Sequence, residues 1–403
     1  MGKIYFDHAA TTPIDPKVLE AMLPYFKKDF GNASSLHSFG QTAQNVVLAA
    51  RDQLANFLQA KPTEIIFTAG ASESDNLALQ GVIKYYLESA KTEDQKYNHL
   101  ITTAFEHPAI LETAQALEKV GVKVTYLKPN SAGLIKPEQV VKAINDNTVL
   151  VSIMYVNNEI GTIQPIAEIG KLIKEINQQR EKQKQKKIIF HTDAVQALNF
   201  CNCQVDWLGV DLLSLSGHKI YGPKGIGVLF VKKGTTIKRI IHGGQQEYGL
   251  RAGTLNTPGI VGLGKAVELL SDKAKQEMIN QRIRKLRDKL VREIMAKIPQ
   301  TKINGDLKNR VPGNINFRFK NVEGESILLM LDLEGFAVST GSACASGSLK
   351  PSHVLLSMGI PQEEAHGSLR LTLGKDNNES EVKKFIEILP KIIKKLRKMS
   401  PLK

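Results

Sequence analysis

Thr148-Val149-Leu150-Val151-Ser152-Ile153-Met154-Tyr155 is a strongly apolar run of eight residues. It reads as a strand buried on both faces, the kind that parallel sheets require. Working outward, short apolar runs alternate with longer amphipathic segments on both sides of it. Strands are expected at 64–68, His99–Thr103 and 122–127 before it, and at 187–193, 212–215 and 227–231 after it. Helices are expected from near Ser72 and over 166–187, the lysine-rich stretch 182–187 forming a solvated helix end. This alternation predicts an α/β protein with a mainly parallel mixed sheet flanked by helices. The character changes after Gly253-Thr254-Leu255-Asn256-Thr257-Pro258. Helices over 259–270 and 273–297 lead into a smaller α+β region, with strands over 313–319 and 369–373 and a terminal helix over 380–399.

The 403 residues are 42% hydrophobic and 23% charged, as in an ordinary soluble protein. No apolar run approaches the ~20 residues of a membrane helix. The N-terminus enters a strand-like pattern at once, which leaves no room for a targeting peptide. Three cysteines, Cys201, Cys203 and Cys344, cannot build a disulfide framework, so a reducing cytoplasm is the expected compartment. The net charge of +14 resides largely in lysines over 171–187 and 383–403. No aromatic residues are interleaved there for base stacking. A solvated lysine face is therefore expected, not direct nucleic-acid binding; an acidic partner or tRNA is the secondary reading.

The chemistry gathers at predicted strand ends, where α/β folds place ligands. Ser214-Leu215-Ser216-Gly217-His218-Lys219 runs into a glycine-rich turn, and Lys219 suits a Schiff base beside a phosphate, although a surface lysine in a turn fits the segment alone. Ala69-Gly70-Ala71-Ser72-Glu73-Ser74 suits a phosphate cradle at a helix N-terminus, and equally a helix N-cap. His107, before a proline-initiated helix, can stack on an aromatic cofactor and carry protons. Asn157-Asn158-Glu159 offers an amide to a phenolate oxygen, or forms a turn. Asp193 ends the run Ile188-Ile189-Phe190 and would be costly to leave unpaired; a protonated pyridine nitrogen resolves that cost, as would a salt bridge. Gln196 follows one turn on. Cys344 lies in Val338-Ser339-Thr340-Gly341-Ser342-Ala343-Cys344-Ala345-Ser346-Gly347-Ser348, a run of small residues that predicts an accessible thiol-bearing loop or an inert linker. Arg370, in a predicted strand, suits either an ion pair or bidentate capture of a carboxylate. Cys201 and Cys203 are too close together for a zinc pattern, and no metal site is expected.

With these motifs assembled, the chain resembles the cysteine desulfurases of the iron–sulfur-cluster and nitrogen-fixation type, in the class V aminotransferase family. The resemblance runs from Tyr5-Phe6-Asp7-His8-Ala9-Ala10-Thr11-Thr12-Pro13 to about Leu373. It rests on Glu106-His107-Pro108, Asn157 to Gly161, Asp193 to Gln196, Ser216 to Gly225, Arg251-Ala252-Gly253-Thr254 and Gly341-Ser342-Ala343-Cys344. It implies pyridoxal phosphate fold type I, with a large cofactor-binding domain over 14–257. Residues 1–13 and 258–403 would form a small domain carrying the catalytic cysteine loop at about 339–350. The implied cofactor is pyridoxal 5'-phosphate, with Lys219 as Schiff-base lysine and Asp193 as pyridinium partner. His107 would stack on the ring, shuttle protons and accept the proton of the attacking thiol. Asn158 and Gln196 would bond the cofactor, and Ala71, Ser72, Ser216 and His218 its phosphate, with Thr254 reaching in from the other subunit of a homodimer. Asn32 and Arg370 would hold the substrate carboxylate, and Cys344 would accept sulfur. The implied reaction converts L-cysteine to L-alanine and passes sulfur to an acceptor protein such as an iron–sulfur scaffold. A selenocysteine lyase or another pyridoxal phosphate enzyme of the family is the alternative. Ser72 stands where the family has threonine, and Ala33 where proline is common.

Overall fold

The apolar runs pair into one seven-stranded sheet in the computed structural model, which describes residues 3–89, 98–340 and 351–400. Its strands are β2 (Ile65–Thr68), β3 (His99–Thr103), β4 (Lys123–Leu127), β5 (Thr148–Ser152), β6 (Ile189–Asp193), β7 (Leu212–Ser216) and β8 (Gly227–Val231), in the order β2-β8-β7-β6-β5-β3-β4. All neighbours are parallel except those of β8, which runs antiparallel to both β2 and β7. Every residue of β5 is buried, as its composition predicts. The regular ladder stops at Ser152, three residues early. Ile153 and Tyr155 nevertheless still donate backbone bonds to the carbonyls of His191 (3.1 Å) and Asp193 (2.8 Å).

Strand periodicity sends alternate side chains to opposite faces. Ile66, Leu100, Leu150, Ile189, Leu212 and Leu229 meet the helices Ala71–Ser89 and Pro108–Glu118. Phe67, Ile101, Val151, Phe190, Leu213 and Val228 meet the helices Ser38–Leu58, Ile166–Lys182 and Thr257–Leu270. One helix boundary differs from expectation. The helix expected to reach residue 187 ends at Lys182, because Lys184 turns into left-handed backbone (φ 57°) and Asn177 then pins Ile188 through both its backbone groups. The helix Thr257–Leu270 packs its apolar face on the larger core, through Ile260, Leu263, Ala266 and Val267, and not on the C-terminal sheet.

A second core surrounds a three-stranded antiparallel sheet, β9 (Thr301–Ile303), β10 (Asn314–Phe319) and β12 (Ser368–Thr372), in the order β12-β10-β9. Phe317, Phe319, Leu369, Leu371, Phe385 and Leu389 fill it beneath the helices Lys273–Lys297, Gly324–Leu333 and Glu379–Met399. The N-terminus belongs here as well. β1 (Ile4–Tyr5) pairs in parallel with β11 (Phe336–Ala337), Phe6 is fully buried in this core, and Asp7 bridges to Thr372. Residues 8–12 then cross to the larger sheet, so that both cores contribute to the space between them.

Candidate active site

A cavity of about 660 Å³ opens where the carboxyl ends of β2, β3, β5, β6 and β7 converge, as expected of an open α/β sheet. Ala71, Ser72, His107, Asn158, Asp193, Gln196, Ser216, His218, Lys219 and Arg370 all line it. Ten residues read from separate motifs thus meet in one space. Asn32 and Thr254 do not: both are exposed and lie outside this lining, and Asn32 accepts a local bond from Ser34 N (2.9 Å). Cys344 lies outside the described residues.

At one end Ala71 and Ser72 open the helix Ala71–Ser89, whose free N–H groups and dipole favour an anion. Gly70 (φ 156°) and Gly225 (φ 74°) line the same space, and a Cβ at either would meet no protein atom within 4 Å. Ser216 ends β7, and His218 follows it with Nδ1 3.1 Å from the Thr11 hydroxyl. Burial and the cations Lys219 and Lys224 push the His218 pKa down to about 4, so it meets an anion as a neutral ring.

Lys219 donates to the carbonyls of Ala9 (2.6 Å) and Ala10 (2.7 Å), which tie the crossing N-terminal segment to the lysine. Gln196 donates to the same Ala9 carbonyl (3.0 Å). Asp193 is nearly buried, with one carboxylate oxygen accepting from Val195 N (2.9 Å). Burial pushes its pKa up to about 6, against the opposing pull of the Val195 bond and the Lys219 charge. An anion so placed gains from a cationic partner, which a pyridinium N–H supplies.

His107 caps the helix Pro108–Glu118 by accepting from Ala109 N at Nδ1 (3.1 Å). The neutral ring therefore carries its proton on Nε2, a tautomer assigned from this bond. Burial, Lys219 and His353 push its pKa down to about 4. With Nδ1 taken by the Ala109 bond, Nε2 is the ring nitrogen left to act on a ligand. Arg370, 2% exposed, donates to Asn158 O (3.0 Å) and to Asp7 (2.9 Å), while its Nε has no partner. The cavity therefore offers an anion cradle, an amine, a buried carboxylate and an under-satisfied guanidinium, which fit the phosphate, aldehyde and ring nitrogen of pyridoxal phosphate and a substrate carboxylate.

Sequence reasoning gave no roles to Ala9, Ala10 and Thr11, although it quoted their motif. Their contribution is largely through backbone carbonyls, which leave no side-chain signature. It also passed over the buried polar set beneath the cavity. There His191 lies between the hydroxyls of Ser152 (2.9 Å) and Ser214 (3.0 Å), with its Nε2 3.7 Å from Asp75. Among the described residues no cluster could hold a metal ion.

An α/β sheet with this lysine, aspartate and anion cradle at its carboxyl edge defines a fold type I pyridoxal phosphate enzyme, and the chain belongs to the aminotransferase class-V family, whose model matches residues 4–385. It is 52% identical over 402 residues to the cysteine desulfurase IscS of Clostridium botulinum, covering 99% of this chain and 96% of that one. Among solved structures, one titled NifS-like protein superposes with a TM-score of 0.88 at 36% identity, covering 98% of this chain and 100% of that one. Another, titled SspA in complex with cysteine, gives 0.77 at 39% identity, covering 92% and 98%.

Proposed function

We propose that this chain is a cysteine desulfurase: it takes the sulfur of L-cysteine onto Cys344 as a persulfide and releases L-alanine. The half-reaction balances without an external oxidant or reductant, since L-cysteine plus the enzyme thiol give L-alanine plus the enzyme persulfide. The observation that carries it is the meeting of Lys219, Asp193 and the under-satisfied Arg370 in one cavity. The two flanks of the segment containing Cys344 are bonded to residues around that cavity. The cysteine desulfurases among its relatives favour this substrate over selenocysteine.

Pyridoxal phosphate, when bound, supplies an electron sink conjugated with the substrate α-carbon. Lys219 is the amine that anchors it and afterwards moves the α-proton. Asp193 holds the proton on the ring nitrogen. Ala71, Ser72, Ser216 and His218 would bind the phosphate, Asn158 and Gln196 the ring substituents, and His107 would stack on the ring. Arg370 captures the α-carboxylate, which orients the substrate sulfur for attack by the Cys344 thiolate.

The functional unit is a homodimer in which Thr254 completes the partner's phosphate site. Supporting this, Thr254 is exposed, and an apolar stretch at Leu19, Leu23, Phe26, Phe30, Leu36 and Phe39 is uncovered in the single chain. The chain works in the cytoplasm and passes sulfur to an acceptor protein such as an iron–sulfur scaffold. No described helix is long and apolar enough to cross a membrane. The small domain comprises the N-terminal strand and the region after the helix Thr257–Leu270, since that helix packs on the larger core.

Alanine and sulfide are measured from L-cysteine with dithiothreitol present to reduce the persulfide. Wild type yields both in equal amounts, and Cys344→Ser loses at least ~100-fold of the rate. Wild-type rates in Cys344→Ser would remove the persulfide role, and no alanine from wild type would remove the desulfurase reading itself.

A further inference from the structure

The turn Asn157-Asn158-Glu159, which follows β5, joins four parts of the molecule. Asn157 is fully buried and locks the turn, its Oδ1 accepting from Glu159 N (2.9 Å) and Ile160 N (3.0 Å) and its Nδ2 donating to Phe105 O (2.9 Å). Asn158 lines the cavity, and its carbonyl accepts from Arg370. The Glu159 carbonyl accepts from Asn314 (3.2 Å) and Asn316 (3.1 Å) of β10. The Glu159 carboxyl, 4% exposed, accepts from the hydroxyl of Ser352.

Ser352 stands two residues beyond the segment 341–350. Its hydroxyl also accepts from Leu355 N (3.2 Å), capping the short helix His353–Ser357, so its own proton is directed to Glu159. On the other flank Ser339 is bonded to Arg370 through both backbone groups (3.2 and 2.7 Å). The chain therefore enters the Cys344 segment tied to Arg370 and leaves it tied to Glu159, and the Asn158 carbonyl links those two anchors. Burial pushes the Glu159 carboxyl up to about 7, against the opposing pull of the Ser352 bond and the Arg370 charge.

We propose that Glu159 is a positioning residue for sulfur transfer: through Ser352 it fixes the exit of the Cys344 segment relative to Arg370, and so sets how often the thiol meets a bound substrate. This deepens the desulfurase reading and rests on it. Glu159→Gln keeps an acceptor oxygen for Ser352, whereas Glu159→Ala and Ser352→Ala each remove the bond.

With the cofactor-loaded enzyme, L-cysteine and dithiothreitol, Glu159→Ala and Ser352→Ala lower kcat for alanine ~10-fold and leave KM within ~2-fold. The double variant is no worse than Ser352→Ala, which removes the Glu159 bond and the Leu355 cap together. Glu159→Gln stays near wild type, and the visible absorbance of all variants is unchanged. Hydrogen exchange over 353–357 is faster in Glu159→Ala but not in Glu159→Gln. Unchanged kcat in both alanine variants overturns the proposal. So does Glu159→Gln as damaged as Glu159→Ala, or a kcat loss that tracks loss of cofactor absorbance. If Glu159→Ala does not fold, Ser352→Ala decides. Failure of the desulfurase reading shows separately, as no alanine from wild type.

Discussion

Arg370 is the residue proposed to hold the substrate carboxylate. It is among the largest fully buried side chains, yet it spends two nitrogens on Asn158 and Asp7 and leaves Nε with nothing. A buried donor left unsatisfied costs about 1–3 kcal/mol, and the proposed substrate carboxylate is a planar partner for the guanidinium. Lysine keeps the charge but not the fork. Arg370→Lys is therefore expected to raise KM for L-cysteine ~10- to 100-fold with a smaller effect on kcat, in steady-state assays of alanine formation. An unchanged KM would assign Arg370 to structure alone. The thiols divide just as sharply. Burial pushes Cys201 up to about 12 and Cys203 well above the usual thiol range, so neither offers a thiolate at neutral pH. Iodoacetamide should label one site per native chain, and Cys344→Ser should abolish that fast label by mass spectrometry. Rapid labelling of Cys201 would contradict the burial argument.

At the scale of elements, strand ends were legible because apolar runs stop where polar site residues begin. Ile188-Ile189-Phe190 gives way to His191-Thr192-Asp193, and Leu212-Leu213-Ser214-Leu215 to Ser216-Gly217-His218-Lys219. The reversal of β8 carried a signal too: only ten residues separate it from β7, fewer than the dozen or so of a parallel crossover. The helix Ser38–Leu58 shows its apolar face at Ala43, Val47, Ala50, Leu54 and Leu58, a helical spacing that was passed over. Long-range backbone partners had no such signal, which is why the carbonyls holding Lys219 were missed. Another long-range device is the turn Glu247–Gly249, where Glu247 (φ 47°) and Tyr248 (φ 56°) both adopt left-handed backbone. Arg51, from the helix Ser38–Leu58, pairs with Glu247 through two bonds (2.5 and 3.0 Å) and lies against the rings of Phe67 and Tyr248. Removing one partner strands a buried charge. Arg51→Met should cost about 3–5 kcal/mol in urea unfolding, and Arg51→Met with Glu247→Leu should cost less than the single change. A loss below about 1 kcal/mol would mean the turn holds without the pair.

For the whole molecule, the cavity floor imposes a pH dependence that its net charge of +14 does not suggest. Asp75 lies 3.7 Å from His191 Nε2, and burial, reinforced by Asp193 and Glu106 and opposed by Ser214, raises it well above the usual range. Glu106 is fully buried, accepts from Thr103 (2.7 Å) and Met154 N (2.9 Å) through one oxygen, and is pushed up by burial to about 8. Glu106 is thus largely neutral in the folded chain near pH 7, whereas an unfolded chain ionises it. A group whose folded pKa is raised binds more protons folded than unfolded. The stability it contributes is complete below its ordinary value of 4.5 and is lost as pH rises through about 8. Across pH 6 to 8 that amounts to at most about 2–3 kcal/mol for Glu106, at 1.36 kcal/mol per pH unit. Glu106→Gln keeps an acceptor for Thr103 and Met154 but has no proton to lose. Urea unfolding of wild type should therefore weaken from pH 6 to pH 8, and Glu106→Gln should flatten that fall. An identical slope in the two proteins would show that Glu106 is ionised in the fold, and that the buried floor is charged where the structure makes it neutral.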